Sequence, residues 1–187
     1  MVPPRFATLV QGDGASLIAQ GEGRMTLIRR CTLQDMAGLL ALYRELRPHD
    51  PALAPDAART ALTALLTQPH LHLLVAEVDG QLAATCQLGV VATLTNGGRP
   101  FGIIEHVVTA SAFRRRGISR LLLTHALELA WQQDCYKVML LSGEGRDEAH
   151  RLYEKLGFKA GIEKGFVLKQ IDAMATTGQA PNNQAIE

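Results

Sequence analysis

At 187 residues the chain can bury the core of one domain but not of two, with room left for short terminal extensions. Its 19 Lys and Arg against 18 Asp and Glu exclude a global field that would draw it to nucleic acid or a membrane, so a basic site has to be local. Cys31, Cys86 and Cys135 lie far apart without metal spacing, no apolar run reaches the ~18 residues that span a bilayer, and no signal-type segment opens the chain. A soluble cytoplasmic protein with buried thiols is therefore expected.

Residues 1–23 carry Pro3, Pro4 and four glycines without persistent periodicity and read as a loose N-terminal extension. Met25 to Cys31 alternates as a first strand, and Thr32, three residues before Asp35, is placed to cap the helix that follows. Leu33, Met36, Ala37, Leu40 and Tyr43 repeat at helical spacing to about Leu46. Pro48, Pro51 and Pro55 break the chain, after which Asp56 is expected to cap a second helix that ends before Pro69. Together these helices form a lid-like insertion. Leu71–Val78 and Leu82–Leu94 read as strands joined by the hairpin dipeptide Asp79-Gly80, and Asn96-Gly97-Gly98 marks a second turn.

Ile103 to Val108 is a mostly apolar, β-branched run typical of a buried strand, and Ile118, Leu121, Leu122, Ala126 and Leu129 share one face of a helix. Arg114, Arg115, Arg116 and Gly117 stand between them. Unpaired amides, the positive end of the helix dipole and three guanidinium groups converge there, which makes an anion site suited to phosphate or, failing a ligand, a solvated basic surface. Tyr136–Leu141 follows as a short strand, Arg146–Leu156 as a helix with Gly157 as its C-terminal cap, and Phe166–Lys169 as a last strand. Residues 173–187 read as a disordered tail and 24–172 as the folded domain. The order implies an α+β fold with a mixed, mostly antiparallel sheet flanked by helices. Its late strand-helix-strand unit should be a right-handed parallel crossover.

Arg114-Arg115-Arg116-Gly117-Ile118-Ser119 resembles the R/Q-x-x-G-x-G/A motif of the GNAT superfamily of N-acetyltransferases, with Ser119 where that pattern prefers Gly or Ala. Ala149-His150-Arg151-Leu152-Tyr153-Glu154-Lys155-Leu156-Gly157-Phe158 is similar to the A-x-x-L-Y-E-K-x-G-F stretch near the end of many members, and the element order is also that of the GNAT fold. The resemblance implies acetyl-CoA as cosubstrate and no metal. It implies that backbone amides of Arg115, Arg116, Gly117, Ile118 and Ser119 hold the pyrophosphate, with Arg114 and Arg120 adding charge. Peptide groups of Val107 and Val108 would align pantetheine, and Tyr153 would return a proton to the thiolate. Ile104-Glu105-His106-Val107-Val108 and Cys135-Tyr136-Lys137 are similar to the glucosamine-6-phosphate N-acetyltransferase branch. That branch has an acidic pair where Glu105 and His106 stand, so its substrate is not carried over, and Arg146 occupies a position at which many members have Asn.

Acetyl transfer to an amine needs a base, and Glu105 and His106 are the candidates. Neighbours in a regular strand point to opposite faces, so only one of them is expected in a given cleft. A structural hydrogen bond would also account for either, and a core aromatic for Tyr153. His49, His70, His72, His125 and His150 have no metal spacing, and Gly143-Glu144-Gly145 reads as a turn. Three readings follow: an acetyl-CoA-dependent N-acetyltransferase of a small primary amine, an enzyme acetylating a protein or peptide, or an acyl-CoA-binding module without turnover. No nucleic-acid or membrane partner is expected, and a homodimer is compatible with all three.

Overall fold

The computed structural model describes residues 8–11, 15–19 and 25–170, with the backbone alone for 8–11 and 19. Seven strands form one sheet in chain order: β1 (Thr8–Gln11), β2 (Ala15–Ala19), β3 (Met25–Arg30), β4 (Leu71–Val78), β5 (Gln81–Val91), β6 (Phe101–Thr109) and β7 (Val138–Leu140). Neighbours are antiparallel except β6 and β7, which pair in parallel across helix α3 (Ile118–Gln132). Helices α1 (Met36–Leu46) and α2 (Pro55–Leu66) lie between β3 and β4, and α4 (Asp147–Lys155) follows β7. The α+β fold with a mixed, mostly antiparallel sheet is thus observed.

Strand β4 explains the layering. Leu74, Ala76 and Val78 sit in one buried cluster with α3 and Tyr153, while Leu73 and Val75 join Cys31, Leu39 and Leu62 in a second. Alternate residues of a strand face opposite sides, so β4 is apolar throughout because helices cover both of its faces. The hairpin to β5 turns through Asp79 and Gly80, both with positive φ (50° and 75°), and pairs Val78 directly with Gln81. That is the two-residue turn that Asp-Gly favours.

At the start of α1 the Asp35 carboxylate accepts hydrogen bonds from the Thr32 N–H (2.7 Å) and Oγ1 (3.0 Å). It also takes both terminal nitrogens of Arg29, at 2.7 and 2.8 Å, and Arg29 reaches on to Glu77 of β4 at 2.8 Å. One guanidinium, shared by two carboxylates, therefore ties β3, β4 and the entry to α1 together. At the other end of the chain, α4 closes through Gly157 (φ 97°), with the Phe158 N–H donating to the Tyr153 carbonyl and the Gly157 N–H to that of Glu154, both at 3.0 Å. This is a Schellman cap, and it turns Phe158 back onto Tyr153, ring centroids 6.1 Å apart.

Several expectations are corrected. Within the stretch read as a loose extension, β1 and β2 form a hairpin on β3; Ile18 is buried in the main core, and Ser16 Oγ lies 3.1 Å from His125 Nδ1 of α3. Such short strands carry little pattern of their own, and the cover supplied by α3 stabilises them. Helix α2 starts with Pro55 at its first position after Ala54 rather than with an Asp56 cap, and β5 stops at Val91 rather than Leu94. Phe166–Lys169 forms no strand. The reading of residues 173–187 lies outside the described residues.

Burial disfavours the Asp35 anion, yet its bonds from Arg29 and Thr32 outweigh this and hold the carboxyl below the usual carboxylate range. A depressed native pKa gives stability that is present above the unfolded value and is lost as pH falls through the native one. Asp35→Asn should therefore cost about 2 kcal/mol in urea unfolding at neutral pH. The gap to the wild-type chain should narrow once pH drops below the ordinary carboxylate pKa of about 4.

Candidate active site

Strand β6 carries one residue more than its partner requires. Thr85 of β5 pairs with Val108 and Gln87 with Glu105, so His106 and Val107 together oppose Cys86. His106 takes up the excess with φ 54°, in the left-handed region. A bulge of this kind breaks the alternation of side chains and bends the strand. Pairing with β7 also ends here, since it spans only Gly102–Ile104 against Val138–Leu140, while β6 runs on to Thr109. Beyond Ile104 the β7-facing edge of β6 has no strand beside it among the described residues.

The gap holds a cavity of about 250 Å³. Ile104, Glu105, His106 and Val107 line it from β6, Leu140, Leu141, Gly143 and Arg146 from the end of β7 and the loop after it, and Tyr153 from α4. Glu105 and His106 thus line one cavity, against the expectation from strand alternation, because the bulge resets the period between them. Tyr153 is 9% exposed. Burial pushes its phenol up from the ordinary tyrosine value; the Arg146 charge pulls it back, and Cys86 and Glu105 add to the rise. At neutral pH the hydroxyl keeps its proton and can donate it.

A second cavity of about 430 Å³ shares Leu46, Arg47 and His106 with the lining of the first. Leu40, Tyr43, Arg44, Asp50, Pro51, Ala52 and Leu53 bring the end of α1 and the linker to α2 over it. His106 stands at the junction, its ring 5.7 Å from that of Tyr43 in an edge-on arrangement. Tyr43, Arg44 and Arg47 were not singled out by sequence reasoning. Tyr43 fits the apolar repeat of α1, and nothing in the spacing of the arginines sets them apart from a solvated helix end.

The basic turn lies elsewhere, past the end of β6, and lines neither cavity. Arg115 (φ 60°) and Gly117 (φ 78°) have positive φ on either side of Arg116, the alternation that turns successive amides toward one point. Helix α3 begins at Ile118, so the amides of Ile118 and Ser119 have no intrahelical acceptor. Ser119 Oγ is hydrogen-bonded to Thr109 Oγ1, which turns its side chain back toward β6 and explains how serine is accommodated where Gly or Ala is expected. Arg114 is held by its own chain: Nε donates to the Thr109 carbonyl at 3.2 Å, and Nη2 lies 3.5 Å from Glu45, which also accepts from the Ser111 N–H. The Arg116 guanidinium sits 5.1 Å above the Phe113 ring, and Arg115 is exposed. Val108 is buried and Val107 packs against the main core.

The thiols offer no competing nucleophile, because burial pushes Cys31 and Cys86 up to about 12 and raises Cys135. Among the described residues no group of three or more His, Cys, Asp or Glu is arranged to hold a metal. None of the described helices is long and apolar enough to cross a membrane.

The Acetyltransferase (GNAT) family matches residues 39–158. The glucosamine 6-phosphate N-acetyltransferase of Trypanosoma brucei brucei is 36% identical over 130 residues, which are 67% of this chain and 84% of that protein. The solved structure of an Agrobacterium tumefaciens str. C58 protein described as an acetyltransferase is 41% identical with a TM-score of 0.73, covering 76% of this chain and 99% of that one. An aminoglycoside N-acetyltransferase solved in complex with CoA shares the fold, at 19% identity and a TM-score of 0.67, over 81% of this chain and 99% of its own. The chain belongs to the GNAT family of acetyltransferases. It is an N-acetyltransferase of the kind that uses acetyl-CoA.

If the phosphates of the donor rest on the turn, Gly117→Glu should weaken acetyl-CoA binding by at least ~10-fold in calorimetry, through repulsion in the first turn of α3. Gly117→Ala tests the backbone alone, since a Cβ there meets nothing within 4 Å and the cost is confined to φ 78°. Affinity left intact by the glutamate would remove the donor phosphates from this turn.

Proposed function

We propose that the chain moves the acetyl group of acetyl-CoA to the primary amine of a small molecule. The observation that carries this reading is the pair of neighbouring cavities that share His106 in their linings. The smaller is lined by Glu105 and Tyr153; the larger, at about 430 Å³, lies within the range of small-ligand sites and is bordered by the linker after α1. Arg44 and Arg47 line the same space together with Asp50, which lies 3.9 Å from Arg47, and the remaining positive charge would favour an acceptor that carries an acidic group. Relatives named for glucosamine 6-phosphate make that compound the first acceptor to test. His106, where that branch has an acid, makes it a test rather than an assumption.

In the proposed sequence the donor phosphates sit on the amides of Arg115–Ser119, with charge from Arg114 and Arg120, and pantetheine follows the open edge of β6 at Val107 and Val108. The thioester then lies in the smaller cavity. Glu105, directly or through a water, takes a proton from the acceptor ammonium, whose ordinary pKa is about 10. The neutral amine attacks the thioester carbonyl, and an amide of Val107 or Val108 meets the developing oxyanion. Collapse breaks the carbon–sulfur bond and the Tyr153 hydroxyl supplies a proton to the departing thiolate, while the second proton that the attacking nitrogen sheds as the amide forms returns through water to the phenolate.

Thiol release from acetyl-CoA, followed over a panel of amines that includes glucosamine 6-phosphate, tests the reading. Turnover that depends on a small amine is expected; binding of acetyl-CoA without release on any amine would leave only a binding module.

Tyr153→Phe should lower kcat by on the order of 10²-fold or more while donor affinity holds, because it removes a proton and almost no volume. Wild-type turnover, measured where chemistry limits the rate, would reduce Tyr153 to a core aromatic.

The base is separated by pH profiles. Glu105→Gln should flatten the acidic limb of turnover, whereas His106→Gln should leave it in place. The reverse pattern would assign the proton to the histidine, and two unchanged profiles would mean that the amine arrives neutral.

A further inference from the structure

Giving a proton to the departing thiolate leaves Tyr153 as a phenolate in the wall of the smaller cavity, where its side chain is buried. An ordinary phenol, with a pKa of about 10, is a weaker acid than an ordinary thiol at about 8.5. The transfer therefore runs uphill, and burial steepens it, because a charge withdrawn from water loses its solvation. A cation beside the phenol would offset both.

The spacing on α4 supplies one. Arg146 stands seven residues before Tyr153, about two helical turns, so the two share one stripe of the helix, and both line the smaller cavity. Local bonds fix the start of that stripe. The Ala149 and His150 N–H groups donate to the Arg146 carbonyl at 2.9 and 3.0 Å, and His150 Nε2 lies 3.1 Å from both Ser142 Oγ and the Gly143 carbonyl, which holds the loop leading into α4. Glu105 and His106 of β6, Cys86 of β5 and Arg47 after α1 are the other ionisable groups that face the phenol or line this cavity. Glu105 and Cys86 oppose a negative phenol, and Arg47 already has Asp50 at 3.9 Å. Among the described residues no ion pair or side-chain hydrogen bond engages the Arg146 guanidinium, although Asp147 and Glu148 follow it directly.

We infer that Arg146 is a positioning residue for the proton transfer, its guanidinium being the counter-charge of the Tyr153 phenolate that forms as the carbon–sulfur bond breaks. The electron pair of that bond leaves with sulfur, and the Tyr153 proton completes the thiol. The negative charge then rests on the phenol oxygen, opposite the guanidinium, until the second proton of the attacking nitrogen restores the hydroxyl through water. A donor seated along β6 would displace water from the cavity and strengthen the attraction at the moment it is needed. An Asn, which many GNAT members have at this position, offers hydrogen bonds but no charge, so arginine changes what the position can do. The inference rests on the acid role proposed for Tyr153 and is independent of the acceptor.

Arg146→Met keeps most of the side-chain length and removes the charge from an exposed position, so the fold should hold. It should lower kcat by ~10-fold or more while acetyl-CoA affinity and the acceptor KM stay within ~3-fold, and Arg146→Lys should recover most of the loss. The basic limb of the kcat profile should move to higher pH, because a phenol without its cation keeps its proton longer, and the acidic limb should stay. In a Tyr153→Phe background Arg146→Met should change kcat by less than ~2-fold, as expected of groups that act as a unit. Tyrosinate absorbance, taken as the difference between each chain and its Tyr153→Phe form, should show Tyr153 titrating at higher pH once the charge is gone. If no amine is turned over, this titration alone decides. Wild-type turnover in Tyr153→Phe would remove the acid and this inference with it. A slow Tyr153→Phe beside an Arg146→Met of undiminished kcat, or a loss confined to donor affinity or acceptor KM, would overturn the counter-charge alone. So would an additive loss in the double variant, a displaced acidic limb, which would assign the guanidinium to Glu105, or an unmoved Tyr153 titration.

Discussion

The extra residue in β6 is the constraint on which the site depends. Two residues opposite Cys86 cannot both continue the pleat, so His106 adopts a left-handed conformation that costs about 1–2 kcal/mol for a residue with a side chain. Its edge-on contact with Tyr43 and the flanking ladder hold it there. In return the strand bends just where pairing with β7 ends, and a cavity opens inside a sheet that is otherwise continuous. Without the bulge, Glu105 and His106 would face opposite sides and could not line one space.

The rest of the architecture delivers groups to that opening. Helices on both faces of β4 bury the centre of the sheet twice, which fixes α1 over one side and α3 over the other. The end of α1 then brings Tyr43, Arg44 and Arg47 to the larger cavity, and the loop after β7 brings Arg146 to the smaller. Glu45, also on α1, binds Ser111 and Arg114, so the helix bordering the cavities is also fastened to the basic turn. Two regions that would meet opposite ends of a long donor are thereby held in register.

Charge is distributed with the same economy. Nearly balanced overall, the chain gathers Arg114, Arg115 and Arg116 at the α3 entry, while the two cavities set Arg44, Arg47 and Arg146 beside Asp50 and Glu105. Burial keeps the thiols protonated and the Tyr153 phenol intact, which leaves proton transfer to groups at the cavity wall. The carboxylate Asp35, with its own cation and two Thr32 donors, is structural instead, because every contact it makes ties one element to another.

Sequence alone determined what depends on near neighbours. The Asp79-Gly80 turn, the Gly157 cap, the arginine turn before α3 and the spacing of Tyr153 on α4 all follow from the conformational limits of a few adjacent residues. These same features carried the resemblance to the GNAT superfamily. Tertiary structure decided what depends on a distant partner. The register of β6 against β5 set the bulge and placed Glu105 and His106 together, and the packing of α1 brought Tyr43 and Arg47 to a site no spacing would reveal. Residues 15–19 became a strand because β3 pairs with them and α3 meets them at Ser16, and residues 8–11 pair with that strand in turn, while Phe166–Lys169, with better strand chemistry, pair with no strand among the described residues. A strand is completed by the edge it meets, and which edge is available is a property of the whole fold rather than of the segment.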